Sequence, residues 1–474
     1  MHYAVLLIQP MNIFRIILSI LILFIPLYPK FPLANFSGIY VALRLDDIVI
    51  TIFVFIWLLW QIKNKFPVLK QKITYLFLAY FISISISTII AIFIYQTTPT
   101  NILLLHLLRR FEYISIFFIT LIAIPKKKDF SFPFLFLLIS LVGVAIYGYG
   151  QRYYNFPIIS TINEEFSHGQ LLRMDVWTRV SSTFAGHYDL AAYLSLILII
   201  IVSVSTLIKN KILKILSLLL FLIGFNLLTQ TASRVSIFAF WGGSIVSLFL
   251  IKKYLWIIPV SLLVIYCMFT SPDLNQRLLA TLTIIKPKTV TPTSILRLPT
   301  PIPTIIIATK TSPIPSKIIV TTPIPIIIRH GPVDEFIPID ADIGVARSGE
   351  IRFNVEWPRA INAFLKNPLF GTGLGSISLA TDNDFLRLLG ESGILGFITF
   401  LFIPFYFLLK TAKLFWQKKS DFYTQLQLIF VGVIISTLAN AIFIDIFEAS
   451  KVAYTFWILM AVFYRLIELN SSKK

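Results

Sequence analysis

Long apolar runs, broken at short intervals by basic or turn-forming residues, set the pattern of this chain. A helix needs roughly 17–25 apolar residues to cross a bilayer, and about twelve stretches of that kind are present. They lie near 11–29, 46–62, 73–95, 101–124, 131–150, 185–208, 212–229, 234–251, 254–270, 393–412, 422–445 and 450–468. The second and the seventh are short or lie close to a neighbour. The pattern predicts an all-α integral membrane protein with spans 1–9 in residues 1–270 and spans 10–12 with a tail in 393–474. A single long polar interval, 271–392, separates the two groups.

That interval has two unlike parts. Residues 286–338 form a Thr/Pro/Ile tract in which frequent proline removes backbone donors and blocks helix, so extended or polyproline-like chain is expected. From Ala341 onward the sequence becomes specific. A helix is expected from about Gly349 to Leu365, then a turn in which Gly371, Gly373 and Gly375 permit backbone conformations closed to other residues. Asp382 or Asn383 can cap a short helix. In it Phe385, Leu388 and Leu389 share one face and Asp384, Arg387 and Glu391 another. Gly393 and Gly396 lead into the next span.

Charge gives the array an orientation. Lys and Arg gather on alternate connections: Lys63 to Lys72, Lys126 to Lys128, Lys209 to Lys214, Lys252 and Lys253, Lys410 to Lys419, and Arg465 with Lys473 and Lys474. By the positive-inside rule these connections and both termini face the cytoplasm. The segments 151–184 and 271–392 then face outward. The net charge of +19 is thereby assigned to anchoring on anionic lipid headgroups rather than to nucleic acid. The N-terminal apolar stretch ends in Pro26 and Pro29 without a small-residue cleavage site, unlike a secretory signal. The single cysteine, Cys267, lies in an apolar span, and Cys/His metal spacings are absent from the sequence. The apolar residue share of 57% fits the same class.

Three polar blocks lie at the predicted outer ends of spans: RVSSTFAGHYDLAAYL (Arg179–Leu194), LLTQTASRVSIFAF (Leu227–Phe240), and the stretch from Arg352 through NPLFGTGLGS and DNDFLRLLGESGILGF. In this order they resemble the O-antigen ligase and polymerase family, and the Ser233-Arg234 pair is similar to that family's Ser-Arg signature. The resemblance covers most of the chain outside the Thr/Pro/Ile tract. It implies a GT-C-like membrane fold and an enzyme of surface-polysaccharide assembly in the inner or plasma membrane. Its donor would be an undecaprenyl-diphosphate-linked glycan and its acceptor a hydroxyl of a glycan, lipid or protein, with no cofactor. Two positions depart from the family pattern. Asp382 stands where ligases carry His, and His187-Tyr188-Asp189 stands where the first block reads Asn-Pro-Asn. The first departure shifts the reading toward a polymerase or another glycan-transfer member.

The implied reaction fixes the residues of interest. Arg binds phosphate oxygens through a planar fork and stays charged when partly desolvated, so Arg179 and Arg234 are candidates for a leaving diphosphate. Snorkelling to the interface or capping a turn is the alternative for Arg234. Arg352 and Arg359, on the loop helix, are candidates for holding phosphate or glycan, with Asn383, Gly371 and Gly373 beside them; a solvated helix face is their alternative. Asp382 is the candidate general base or an ordinary helix cap. His187 is a second base candidate or a structural His. Glu391 is placed to orient Arg387 four residues earlier. The Asp382-x-Asp384 pair invites a divalent ion, a reading ranked below a metal-free site. Arg44-Leu45-Asp46-Asp47 reads as a cap on the second span. A transporter or flippase of lipid-linked substrates is the competing function, and it predicts internal repeats and mid-membrane charges.

Overall fold

The computed structural model describes residues 13–35, 42–96, 98–159, 179–270, 351–377, 380–416 and 421–471. The Thr/Pro/Ile tract lies outside these residues. Helices α1 to α9 are Ile13–Leu27, Leu45–Lys63, Lys72–Ile90, Thr100–Ala123, Ser131–Tyr154, His187–Ser205, Lys211–Gln230, Arg234–Leu250 and Ile257–Thr270. Helix α10 is Trp357–Lys366, α11 Asp384–Ala412, α12 Phe422–Ala441 and α13 Ser450–Ser471. Two short antiparallel strands, β1 (Pro32–Asn35) and β2 (Ala42–Arg44), join α1 to α2. A π turn, Ala91–Tyr95, extends α3, and another, Arg352–Glu356, leads into α10.

Among the described residues, eight helices are long and apolar enough to cross a membrane: α2, α3 with its π turn, α5, α6, α7, α11, α12 and α13. Helices α1, α8 and α9 are apolar but shorter. Helix α4 has the length, 24 residues, but carries Arg109, Arg110 and Glu112. The about twelve stretches marked by hydropathy therefore divide into eight that meet the requirement outright and four that do not. The two stretches singled out as short, now α2 and α7, are among the eight.

Caps start several of these helices where the sequence places polar residues. Asn210 accepts from the amides of Ile212 and Leu213, Asp421 from Thr424, and Asn383 from Leu386, satisfying donors that helix starts leave open. Helices α6 and α13 form the centre, with 83% and 78% of their most apolar windows buried, against 28% for α2 at the rim. Packing is closest between α8 and α12, where a Cβ on Gly432 would fall 2.2 Å from the Gly243 carbonyl. Small residues let helix backbones meet in this way in membrane proteins.

Polar contacts mark the two ends of the bundle. At one, Arg15 pairs with Asp129 (2.8 Å), Lys127 donates to Asn470 (2.5 Å) and Arg465 to the Ile124 carbonyl (2.8 Å). At the other, the buried Lys451 Nζ donates to the carbonyls of Pro26, Tyr28 and Thr183 (3.1, 2.7 and 2.7 Å), and Lys30 donates to Ser450 (2.9 Å). Arg110 donates to the Phe447 carbonyl (2.8 Å) and pairs with Glu448. All three polar blocks start at this second end.

Candidate active site

A tight turn presents Asp382. The residue sits at φ 49°, in the left-handed region that Asp tolerates better than most residues. Asp445, from the connection between α12 and α13, holds the turn on both sides. Its carboxylate accepts the amides of Thr381 (2.7 Å) and Asn383 (3.0 Å) and an N–H of Arg387 (2.9 Å). Removing it would leave the buried Arg387 short of a counter-charge, and breaking a buried pair typically costs about 3–5 kcal/mol. Asp445→Ala is therefore expected to lower the thermal midpoint of the detergent-solubilised protein sharply, and an unchanged midpoint would remove Asp445 from this role.

Arg352, at the start of the π turn before α10, reaches Asp382 with Nε and Nη2, both on Oδ2 at 2.9 and 2.7 Å. Both side chains are partly exposed. Burial pushes the Asp382 carboxyl above its ordinary value, and Arg352 partly offsets that push. Glu356, one turn beyond Arg352, lies within electrostatic reach of Asp382, Arg352 and Arg359. Burial first, and then the Asp382 carboxylate, push its carboxyl up to about 7. Its Oε2 is buried without a hydrogen-bond partner among the described residues.

The first two polar blocks arrive from the neighbouring helix starts. Arg179 Nη1 lies 2.6 Å from His187 Nε2. A guanidinium cannot accept, so it is the donor here and His187 Nε2 carries a lone pair rather than a proton. That nitrogen is already engaged, which argues against His187 as the base. The His187 ring packs on Tyr188 with centroids 4.1 Å apart. Tyr188, Arg179 and Arg352 are all within electrostatic reach of Arg234, whose helix α8 is capped by Ser233. Arg179, Arg234, Arg352 and Asp382 thus converge from four separate segments.

Other sequence candidates go elsewhere. Asp384 turns away from Asp382 and accepts the amides of Ile446 and Phe447 at 2.8 and 3.3 Å, so the two carboxylates do not face one another as an ion-binding pair. No group of three His, Cys, Asp or Glu able to hold a metal occurs among the described residues. Arg387 meets Glu391 at 3.3 Å, as its four-residue spacing suggests, but its shorter contact is to Asp445. The face carrying Asp384, Arg387 and Glu391 is buried. Asp47 caps the start of α2 by accepting the Arg44 amide at 3.1 Å.

Gly371 and Gly373 are buried, and packing explains both. A Cβ at Gly371 would stand 2.4 Å from the Glu391 backbone carbon, and one at Gly373 2.3 Å from Ala91 Cβ. Both have positive φ, 74° and 101°. Glycine here lets the turn lie against α11 and the end of α3 rather than against a ligand. Gly371→Ala meets rigid backbone at a strained φ, so a loss of about 1–3 kcal/mol is expected. Gly242→Ala, inside α8 where a Cβ meets nothing within 4 Å, is expected to leave the unfolding midpoint unchanged or slightly raised. Equal midpoints for the two variants would contradict the packing account.

Arg359 faces a different place. With Asn354, Asn362 and Lys366 it lines an open cavity of about 430 Å³ that has Tyr95, Thr372 and Ser376 on its other side. Sequence reasoning missed Asp445 and Glu356 in this site, and also the buried contacts of Glu448, Arg110 and Lys451 at the same end of the bundle. The signal available for the α12–α13 group was IDIFEASK, three charges in eight residues between two apolar spans.

These helices and their one-ended polar cluster define a multi-pass membrane protein with a polar site at one mouth of the bundle. Residues 216–401, from within α7 to within α11, match the family model for O-antigen ligase. Over that part the chain is related to the O-antigen ligase family. Arg234, Arg352 and Asp382 fall inside the match; Arg179 and Asp445 fall outside it. No curated protein matches the chain.

Proposed function

We propose that the protein transfers or polymerises glycan on the outer face of the membrane, from a polyprenyl-diphosphate-linked donor to an acceptor hydroxyl. The observation that carries this reading is the convergence of Arg179, Arg234 and Arg352 beside Asp382 and Glu356. Three guanidiniums in one mouth favour a multiply charged anion such as a lipid diphosphate. In the step itself the acceptor oxygen bonds to the anomeric carbon, while the bond from that carbon to the diphosphate oxygen breaks. The electron pair leaves with the diphosphate. Fixed guanidiniums stabilise that developing charge without reorganising, commonly the largest catalytic term.

The acceptor proton goes to the carboxylate pair Glu356 and Asp382. Arg352 holds Asp382 through a single oxygen, Oδ2. A carboxyl near neutrality, as at Glu356, is suited to take a proton at physiological pH. A charged lipid pyrophosphate at this depth also agrees with the amphipathic setting, polar at the mouth and apolar below. The test is transfer by purified protein in EDTA from a polyprenyl-diphosphate-linked oligosaccharide. Longer or transferred glycan supports the reading. Lipid scrambling without any transfer overturns it in favour of a flippase.

A further inference from the structure

The 430 Å³ cavity beside α10 shares no lining residue with the arginine–carboxylate mouth, although Glu356 of that mouth lies within electrostatic reach of Arg359. One wall is a single helical face, on which Asn354, Arg359, Asn362 and Lys366 recur at near-helical spacing. The other wall is the glycine turn, with Thr372 and Ser376, and Tyr95 at the end of α3. Tyr95 donates to the Lys366 carbonyl at 3.1 Å and bridges the two walls. Thr372 and Ser376 hydroxyls lie 2.7 Å apart. The volume falls within the range of small-molecule sites.

The lining is rich in groups that suit sugar hydroxyls: two carboxamides and three hydroxyls that donate and accept. Its charges are one-sided. Arg359 and Lys366 line it, and no carboxylate does. Arg359 Nη1 is buried and has no hydrogen-bond partner among the described residues. A buried donor left unmade is costly, and because this nitrogen is closed off from the open cavity, a rotation of the Arg359 side chain toward an anion there would satisfy it. Along the helical axis Arg359 stands roughly 8–10 Å from Arg352, seven residues at no more than about 1.5 Å each. That separation is about the reach of a short oligosaccharide.

We propose that this cavity is a subsite for an anionic sugar of the glycan being extended, with Arg359 clamping its carboxylate or phosphate and Asn354, Asn362 and Ser376 reading its hydroxyls. The proposal rests on the glycan-transfer reading for its biological sense, but its test does not require turnover. The purified full chain in phosphatidylcholine nanodiscs is titrated with digalacturonate, glucose 6-phosphate, lactose and inorganic phosphate, and binding is followed by calorimetry. Digalacturonate or glucose 6-phosphate is expected to bind well above lactose, and which of them binds tells carboxylate from phosphate.

Arg359→Gln is expected to weaken that binding by about 10–100-fold, the worth of a charge-assisted hydrogen bond. Lys366→Gln, on a side chain exposed at the rim, gives a second reading that folding defects do not confuse, with a smaller loss in the same direction. Equal binding of lactose and the anionic sugars overturns the proposal. So does inorganic phosphate competing as well as glucose 6-phosphate, or unchanged affinity in both variants. Anionic-sugar binding without any transfer would leave the subsite standing and sink the transferase reading. Transfer without selective binding would do the reverse.

Discussion

Glycan transfer by Arg234→Ala is expected to fall about 10²–10³-fold, the scale seen when one preorganised donor to a developing anion is removed. The argument starts from where the charge sits. Arg234 begins α8 directly after its cap, Ser233, whose hydroxyl accepts from the Ser236 amide. The backbone that carries the guanidinium is therefore set by a rigid helix start rather than by a loop. Around it lie Arg179, from the first block, and Arg352, from the loop helix, both within electrostatic reach. Like charges brought together in a partly buried mouth repel in the resting protein, and an anion with several oxygens relieves that repulsion on binding. As the anomeric bond breaks, negative charge grows on the diphosphate and the same cations stabilise the transition state further. Arg234→Lys keeps the charge but loses the planar fork, so partial recovery is expected. Transfer is measured with saturating lipid-linked donor, alongside the thermal midpoint of each variant. Wild-type transfer by a folded Arg234→Ala protein would sink the diphosphate role.

How much of this was legible before folding differs from element to element. Local rules carried well. The positive-φ glycine turn, the Asn383 cap and the break before the tenth stretch are all present, with Gly393 at φ 63° and ψ −170° interrupting α11. Each is settled by residues a few positions apart, which is the range over which sequence specifies backbone. Long-range partners were not legible. Asp445 clamps a turn more than sixty residues earlier in the chain, and sequence marks it only as a charge in an apolar setting. It meets Arg387 on a face that, with Asp384 and Glu391, is buried, where spacing alone marks only a polar face. Glycine chemistry shows the same limit. Sequence says that Gly371 and Gly373 allow a close approach, yet it does not say whether a ligand or a helix makes it. Hydropathy likewise located α4, but its Arg110 depends on Phe447 and Glu448 from the far end of the chain.

The pH dependence of transfer is expected to separate the two carboxylates. A carboxyl accepts a proton only in its ionised form. Burial, reinforced by Asp382, raises Glu356 to about 7, so below that pH the group is mostly protonated and cannot serve as a base. The rate at saturating donor is therefore expected to rise with pH through about 7 and level off above it. In Glu356→Gln that ascending limb is expected to vanish, with a loss of about 10²–10⁴-fold, the usual worth of general-base help. Asp382→Asn acts on the same limb from the other side. It removes the negative neighbour that raises Glu356 and frees Arg352, which favours ionised Glu356. Both effects lower the Glu356 value, so the limb is expected to move to more acid pH while the maximal rate drops, because Arg352 loses the contact that positions it. If Asp382 alone takes the proton, the outcome inverts: Glu356→Gln keeps the limb and Asp382→Asn abolishes it. A solvent-exposed, catalytically silent pair would leave both profiles as in the wild type, and the proton would then have to leave by a route that uses neither carboxylate.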